Sequence, residues 1–296
     1  MRPALALLLF FTSGALCRAA EPFAFRALDG QRLELADHGK PVYVYNYGLI
    51  LREGFPAEMS RGAYLHPVYT PDGTVITDDF NKDHPHHRGI SWMWPVVIVD
   101  GKTYDVWTVK DMKQKFIRWT RRAASAKAAT LGVENGWYIE DRKVMKENVE
   151  IVAWPVEDGR RRLDFTLTFE AAGEPVEIAG TTEGNKGFGG FCFRLAPRDG
   201  GSAKTAIATD HGVIEKDGVL ERTAWAQVSG AFQGRPEAAR LDDDPANPGY
   251  PKNGWLLRHG FGFMNPSWPG LEHHTLKAGS PLVLKYRVTL ASGPAK

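Results

Sequence analysis

Between Arg162 and Phe169 the chain alternates strictly, with Arg162, Asp164, Thr166 and Thr168 polar and Leu163, Phe165, Leu167 and Phe169 apolar. A period of two sends the two sets to opposite sides of an extended backbone, so this segment buries one face and does so as a strand. Residues 282–290 repeat the pattern in part through Leu282, Leu284, Tyr286 and Val288. The β-branched and aromatic run 42–47 suits a pleated, half-buried surface. Further strands are expected at 90–99, 104–109, 149–156, 191–195, 205–209, 224–228 and 255–263. Residues 64–69 and 74–77 flank Pro71-Asp72-Gly73 as the arms of a hairpin. No segment has a long helical period, and the alanine-rich stretch 123–129 is too short to hold a helix alone. The 31 glycines and 19 prolines punctuate the chain instead of gathering into a linker. The expectation is one all-β domain, a single large antiparallel β-sandwich. Residues 242–253, with Pro245, Pro248 and Pro251, form the clearest long loop, and loops of that length are often functional.

Residues 1–19 read as an export signal: Arg2, an apolar run over 4–11, then small residues up to Ala19. That run is shorter than the roughly 20 apolar residues a bilayer span needs, and no later segment approaches that length. Residues 20–296 are therefore expected to be an exported, periplasmic or extracellular domain with no membrane span. Without the leader, Lys+Arg falls from 37 to 35 and equals the 35 Asp+Glu. A balanced charge gives no footprint for nucleic acid. Cys192 becomes the sole cysteine, which excludes an intramolecular disulfide and a cysteine-based zinc site. The fold must rest on its hydrophobic core. Oligomeric state is not specified by any of these features.

The chemistry concentrates in Asp83-His84-Pro85-His86-His87-Arg88-Gly89. Histidine is the side chain whose ordinary pKa, about 6.5, lies nearest neutrality, so three together beside carboxylates suit proton transfer, metal ligation or polar-ligand binding. On an extended segment His84 and His86 share a face, a pair that needs further ligands to hold a metal. No acid follows the second histidine, and Arg88 adds positive charge beside it. Neither a metal nor a cofactor is therefore expected. Acid–base chemistry is the stronger reading, with Asp83 or Asp79 orienting a histidine and Glu147, Glu183 or Asp243 as candidate carboxylate partners. Gly187-Phe188-Gly189-Gly190 lacks the Gly-Lys-Ser/Thr ending of a phosphate loop, and the glycine-flanked serine of hydrolases and the His-Glu-x-x-His of zinc proteases are absent. Nine tryptophans supply apolar faces that suit sugar rings.

Three stretches together resemble the exported bacterial DUF6807 family. The first is His66-Pro67-Val68-Tyr69-Thr70-Pro71-Asp72-Gly73, and the second runs Thr77-Asp78-Asp79-Phe80 through Asp83 to Gly89. The third set comprises Gly187 to Phe191, Trp225, Asp244 to Pro248 and Trp255 to Arg258. The resemblance covers roughly residues 40–290. Members are often labelled "methane oxygenase PmoA", after a copper oxygenase subunit built from transmembrane helices, of which this sequence has none. The closing segment 276–288 is similar to that of galactose-mutarotase-like β-supersandwiches, which implies that fold and a carbohydrate-binding cleft. On this reading the partner is a small-molecule or oligosaccharide ligand. His84 and His87 are the acid–base candidates and Asp83 the orienter. His86, Arg88, His66, Arg194, Trp225, Asp243, Asn247 and Arg258 are expected to contact the ligand. A non-catalytic sugar-binding module and a metal-dependent oxidoreductase are the alternatives.

Overall fold

Two nine-stranded sheets carry most of the chain in the computed structural model, which describes residues 22–201, 205–251 and 253–293. The expected leader at 1–19 lies outside the described residues. The first sheet begins with β1 (Phe23–Ala27), β2 (Arg32–Asp37), β3 (Lys40–Asn46), β4 (Tyr64–Val68) and β5 (Ile90–Met93). It continues through β13 (Gly190–Arg194), β20 (Phe263–Ser267), β19 (Gly254–Arg258) and β16 (Gly218–Arg222). The second runs β15 (Gly212–Ile214), β14 (Ala206–Thr209), β17 (Trp225–Phe232), β18 (Arg235–Asp243), β22 (Leu282–Ser292) and β11 (Arg160–Ala171). It ends with β10 (Arg142–Ala153), β9 (Ala129–Ile139) and β8 (Lys113–Ala124). A four-stranded sheet joins β21 (His274–Leu276), β12 (Val176–Ala179), β6 (Val96–Val99) and β7 (Lys102–Tyr104). Neighbouring strands are antiparallel, so the expected all-β, antiparallel sandwich is the observed one.

Alternation in sequence becomes alternation in burial. Leu163, Phe165, Leu167 and Phe169 on β11 are buried, and so are Leu284, Tyr286, Val288 and Leu290 on β22. These side chains meet the first sheet across the sandwich. Phe191 on β13 lies 5.1 Å from Phe165 and 4.6 Å from Tyr286 between ring centroids. Trp94 lies 5.7 Å from Trp137 and 5.2 Å from Phe169. Each fully buried ring of this kind contributes about 1.5–3 kcal/mol. Glu147 is enclosed in the same interior, accepting hydrogen bonds from Gln114, Asn135 and the Trp137 indole, and burial pushes its carboxyl pKa up.

The structure departs from expectation at 104–109 and at 255–263. The strand expected at 104–109 is only the end of β7, because the chain turns over 106–109, where the Thr108 N–H and hydroxyl both donate to Asp105. The single strand expected over 255–263 is two, β19 and β20, because the chain turns at 259–262, where Gly262 has φ +63°. The alanine-rich stretch holds no helix, as expected: it is the end of β8, a turn and the start of β9. There the Ser125 hydroxyl accepts the N–H groups of Lys127 and Ala128, and pairing with the sheet overrides local helix propensity. The hairpin at 64–77 forms with Gly73 at φ +87°, but its second arm holds only isolated bridges, Tyr69 to Val75 and Thr77 to Leu195.

Candidate functional site

Strand parity decides which side chains reach the outer face of the first sheet. Phe191 points into the sandwich, so Cys192 and Arg194 on the same strand point outward. Arg194 pairs across with Phe263, and Phe263 with Arg258, so all three stand in one row on that outer face. Residues 78–89 fold over this row. Asp78 N–H donates to the Arg194 carbonyl, Gly89 N–H to Asp78, and Arg194 N–H to Gly89. Gly89 has φ +42°, and a Cβ there would stand 2.0 Å from the Leu65 carbonyl oxygen. Only glycine fits this close backbone approach.

Within the loop, His87 N–H donates to the His84 carbonyl at 2.9 Å. That closes a four-residue turn with Pro85 at its second position, a placement proline favours. Three imidazoles crowd around it. His84 stacks on His87 at 4.8 Å and 12°, and His87 stacks on Phe263 at 4.5 Å and 17°. His86 and Trp107 meet His87 edge-on at 4.5 and 5.3 Å. The result is a column of three rings, His84, His87 and Phe263, rooted on β20 and open at His84.

Each ring has a different electrostatic setting. Burial pushes the His86 pKa down to about 3, with the Arg61 charge adding to the effect. His87, 4 % exposed, lies well below the usual imidazole range, through burial and then the neighbouring His86 and His84. Both rings are neutral at pH 7. His87 Nδ1 has no hydrogen-bond partner among the described residues, so stacking orients this ring. His84 Nδ1 stands 3.0 Å from Asp83 Oδ2, within ion-pair range but out of line for a hydrogen bond. Burial alone would raise the Asp83 pKa; contacts to His84 and Arg194 hold it below the ordinary carboxylate value instead.

The remaining expected residues divide by location. Arg194, 1 % exposed, donates Nη2 to Asp83 at 3.2 Å and lies 4.4 Å over the Phe261 ring. Its Nε and Nη1 are buried without hydrogen-bond partners among the described residues. Arg88, expected at the ligand, is fully buried. It donates to the Pro85 and Met59 carbonyls at 2.7 Å and to Asp79 at 3.2 Å, and packs 3.3 Å over Phe80. Its donors are spent inside the protein, and it acts as a buttress beneath the turn. His66 meets the Thr77 hydroxyl at 2.9 Å, and burial lowers its pKa. Arg258, on the same outer row, donates to Asp217 at 3.0 Å.

Trp225, Asp243 and Asn247 belong to the second sheet and its adjoining loop, across the sandwich from the histidines. Of the candidate carboxylate partners, Glu147 is locked in the interior and Glu183 is exposed in a short 3-10 turn. Asp243 sits at the end of β18. His211 and His259 meet the carbonyls of Arg222 and Ile214, each at 2.6 Å. Phe261, Phe263 and Arg61 complete the histidine face although no sequence motif marks them; the apolar alternation Phe261-Gly262-Phe263 was the available signal. The imidazoles lie face to face or edge to face rather than aiming nitrogens at one point. Among the described residues no three His, Cys, Asp or Glu side chains are placed to hold a metal ion, so the donor set does not fit the copper centre that the oxygenase label implies. No helix among the described residues is long and apolar enough to cross a membrane.

The model of a family of unknown function, DUF6807, matches residues 32–296. No curated protein sequence matches the chain. Among solved structures, a galactose mutarotase related enzyme from Lactobacillus acidophilus is 10% identical with a TM-score of 0.43, covering 93% of this chain and 99% of that one. A GalM/aldose epimerase homologue from C. elegans is 9% identical with a TM-score of 0.38, covering 93% and 100%. An alpha-galactosidase from Lactobacillus brevis is 9% identical with a TM-score of 0.41, covering 92% of this chain and 38% of its own.

Proposed function

The chain belongs to the DUF6807 family, and from its histidine-bearing face we propose that it is an exported carbohydrate-active enzyme using His84 for acid–base chemistry on a sugar or glycoside. One observation carries the reading. His84 is the half-exposed end of the ring column, with Asp83 3.0 Å from its Nδ1. The Asp83 carboxylate lies beside one nitrogen, and the other nitrogen is left for a substrate proton. His86, held neutral, offers a hydrogen-bonding nitrogen to a sugar hydroxyl without adding charge, while the buried His87 backs the column. The proton-transfer role assigned jointly to His84 and His87 thus concentrates on His84, because a deeply buried imidazole resists protonation. Phe261 supplies apolar surface beside the polar groups, as saccharide sites require.

Non-catalytic sugar binding on the same face is the second reading. It is favoured by the placement of Glu147 in the interior and of Asp243 on the second sheet, away from His84. Turnover separates the two. Purified protein is incubated with a panel of mono- and oligosaccharides, and products are followed by NMR and mass spectrometry. Catalysis predicts a product whose rate falls about 100-fold or more in His84→Ala. Undiminished turnover in that variant removes the mechanism, and saturable binding with no product on any substrate supports the module.

A further inference from the structure

Across the sandwich, the outer face of the second sheet holds a cleft of about 850 Å³. Its floor is one cross-strand row: Asp164 on β11 faces Arg287 on β22, Arg287 faces Asp242 on β18, and Asp242 faces Trp225 on β17. At roughly 4.8 Å per strand the row spans about 14 Å, enough for a short oligosaccharide. One wall is the loop following β18. Asn247 donates to the Lys285 carbonyl at 2.6 Å and accepts the Lys285 N–H at 2.7 Å, and also donates to Asp243 at 2.6 Å. The two bonds to Lys285 fasten the loop to β22 and the third ties it to the end of β18, with the half-buried Tyr250 facing the cleft.

The floor is ordered before any ligand arrives. Arg287 grips Asp164 with two donors at 2.6 and 3.2 Å, and Arg240 grips Asp242 at 2.8 and 2.5 Å. Arg240 also lies 4.0 Å from the centre of the half-buried Trp225 ring. Paired guanidinium and carboxylate groups still present unused N–H donors and oxygen acceptors, the two functions that a sugar hydroxyl matches. Arg162 pairs with Glu157 at the same cleft. Opposite charges cancelling in pairs leave little field to select an anion or a cation.

We propose that this cleft is a second ligand site, separate from the histidine face, which takes a neutral oligosaccharide across the strands against Trp225. It stands independently of whether His84 catalyses anything. The test is isothermal titration of the full chain with cellohexaose, maltohexaose and xylohexaose, and with trigalacturonate as the anionic control. At least one neutral hexasaccharide should bind. Trp225→Ala and Asp242→Ala should each weaken that binding about tenfold or more, whereas Arg26→Ala, on the exposed edge strand β1 of the other sheet, leaves it unchanged. Circular dichroism melts check folding, and if Trp225→Ala fails to fold, the outward-facing Asp242→Ala is read alone. Three results overturn the proposal: no neutral hexasaccharide binds, the folded cleft variants bind as the wild type does, or trigalacturonate binds more tightly than all three.

Discussion

Arg88 and Arg287 both pair with an aspartate, on opposite sides of one sandwich, in opposite surroundings. Arg88 has no exposed surface, and its pair with Asp79 is enclosed with Phe80, Pro85 and Met59 around it. Arg287 keeps half of its side chain in water while gripping Asp164. The histidine face drives polar groups into a dry setting, where imidazoles lose their charge and each lost hydrogen bond is expensive. The cleft face keeps its charges solvated and paired, so each pair is worth little to stability. Proton transfer benefits from the first setting, because dry surroundings shift pKa values. Reversible recognition of a hydrated ligand benefits from the second.

Matched substitutions test that contrast. Arg88→Met should destabilise the protein by about 3–5 kcal/mol, because Asp79 is left as an unpaired buried charge. Arg287→Met, read in the same urea titration, should cost about 0–1 kcal/mol. Equal losses would erase the distinction between the faces. Gly89→Ala comes next, at about 2 kcal/mol or more, since the new methyl meets the Leu65 carbonyl in a left-handed conformation. A melting temperature matching the wild type would mean that the loop is not seated on β4 as described.

The smaller effects are pH-dependent and differ in sign between the two regions. His86 has a folded pKa of about 3, below its ordinary 6.5. Its contribution is present above pH 6.5 and is lost as pH falls toward 3, because the unfolded chain binds the extra proton. His86→Gln should therefore flatten the fall in melting temperature between pH 7 and pH 4. Asp243 behaves in reverse: burial raises its pKa from 3.8 to about 6. Its contribution is complete below pH 3.8 and is lost as pH rises through 6. Asp243→Asn, which keeps a hydrogen-bonding group of the same shape, should melt higher relative to the wild type at pH 7.5 than at pH 4. Parallel pH slopes in variant and wild type would remove either assignment.

Much of the architecture was legible from periodicity. The alternations at 162–169 and 282–290 identify neighbouring strands of one sheet, β11 and β22, which pair residue for residue from Arg160 with Ala291 to Phe169 with Leu282. Strands β8 and β9 escaped notice because alanines at their junction carry helix propensity and no alternation. The break between β19 and β20 escaped because an apolar run reads the same whether it continues or folds back. The histidine run itself needed only composition and spacing to stand out. Its partners Phe261 and Phe263 lie far along the chain, and no local rule brings them beneath His84 and His87.

The sequence by itself determined an all-β chain, the inward and outward parity of the alternating strands β11 and β22, and a histidine-rich turn that glycine and proline make possible. Only the tertiary structure decided which sheet each strand joins, and so on which side its outward residues emerge. Parity is a property of one strand's pleat, whereas the side of the sandwich is set by pairings between strands far apart in the chain, such as β5 with β13 and β11 with β22. For that reason Arg194 and Phe263 came to stand with the histidines, while Trp225, equally outward on its own strand, came to line a different face.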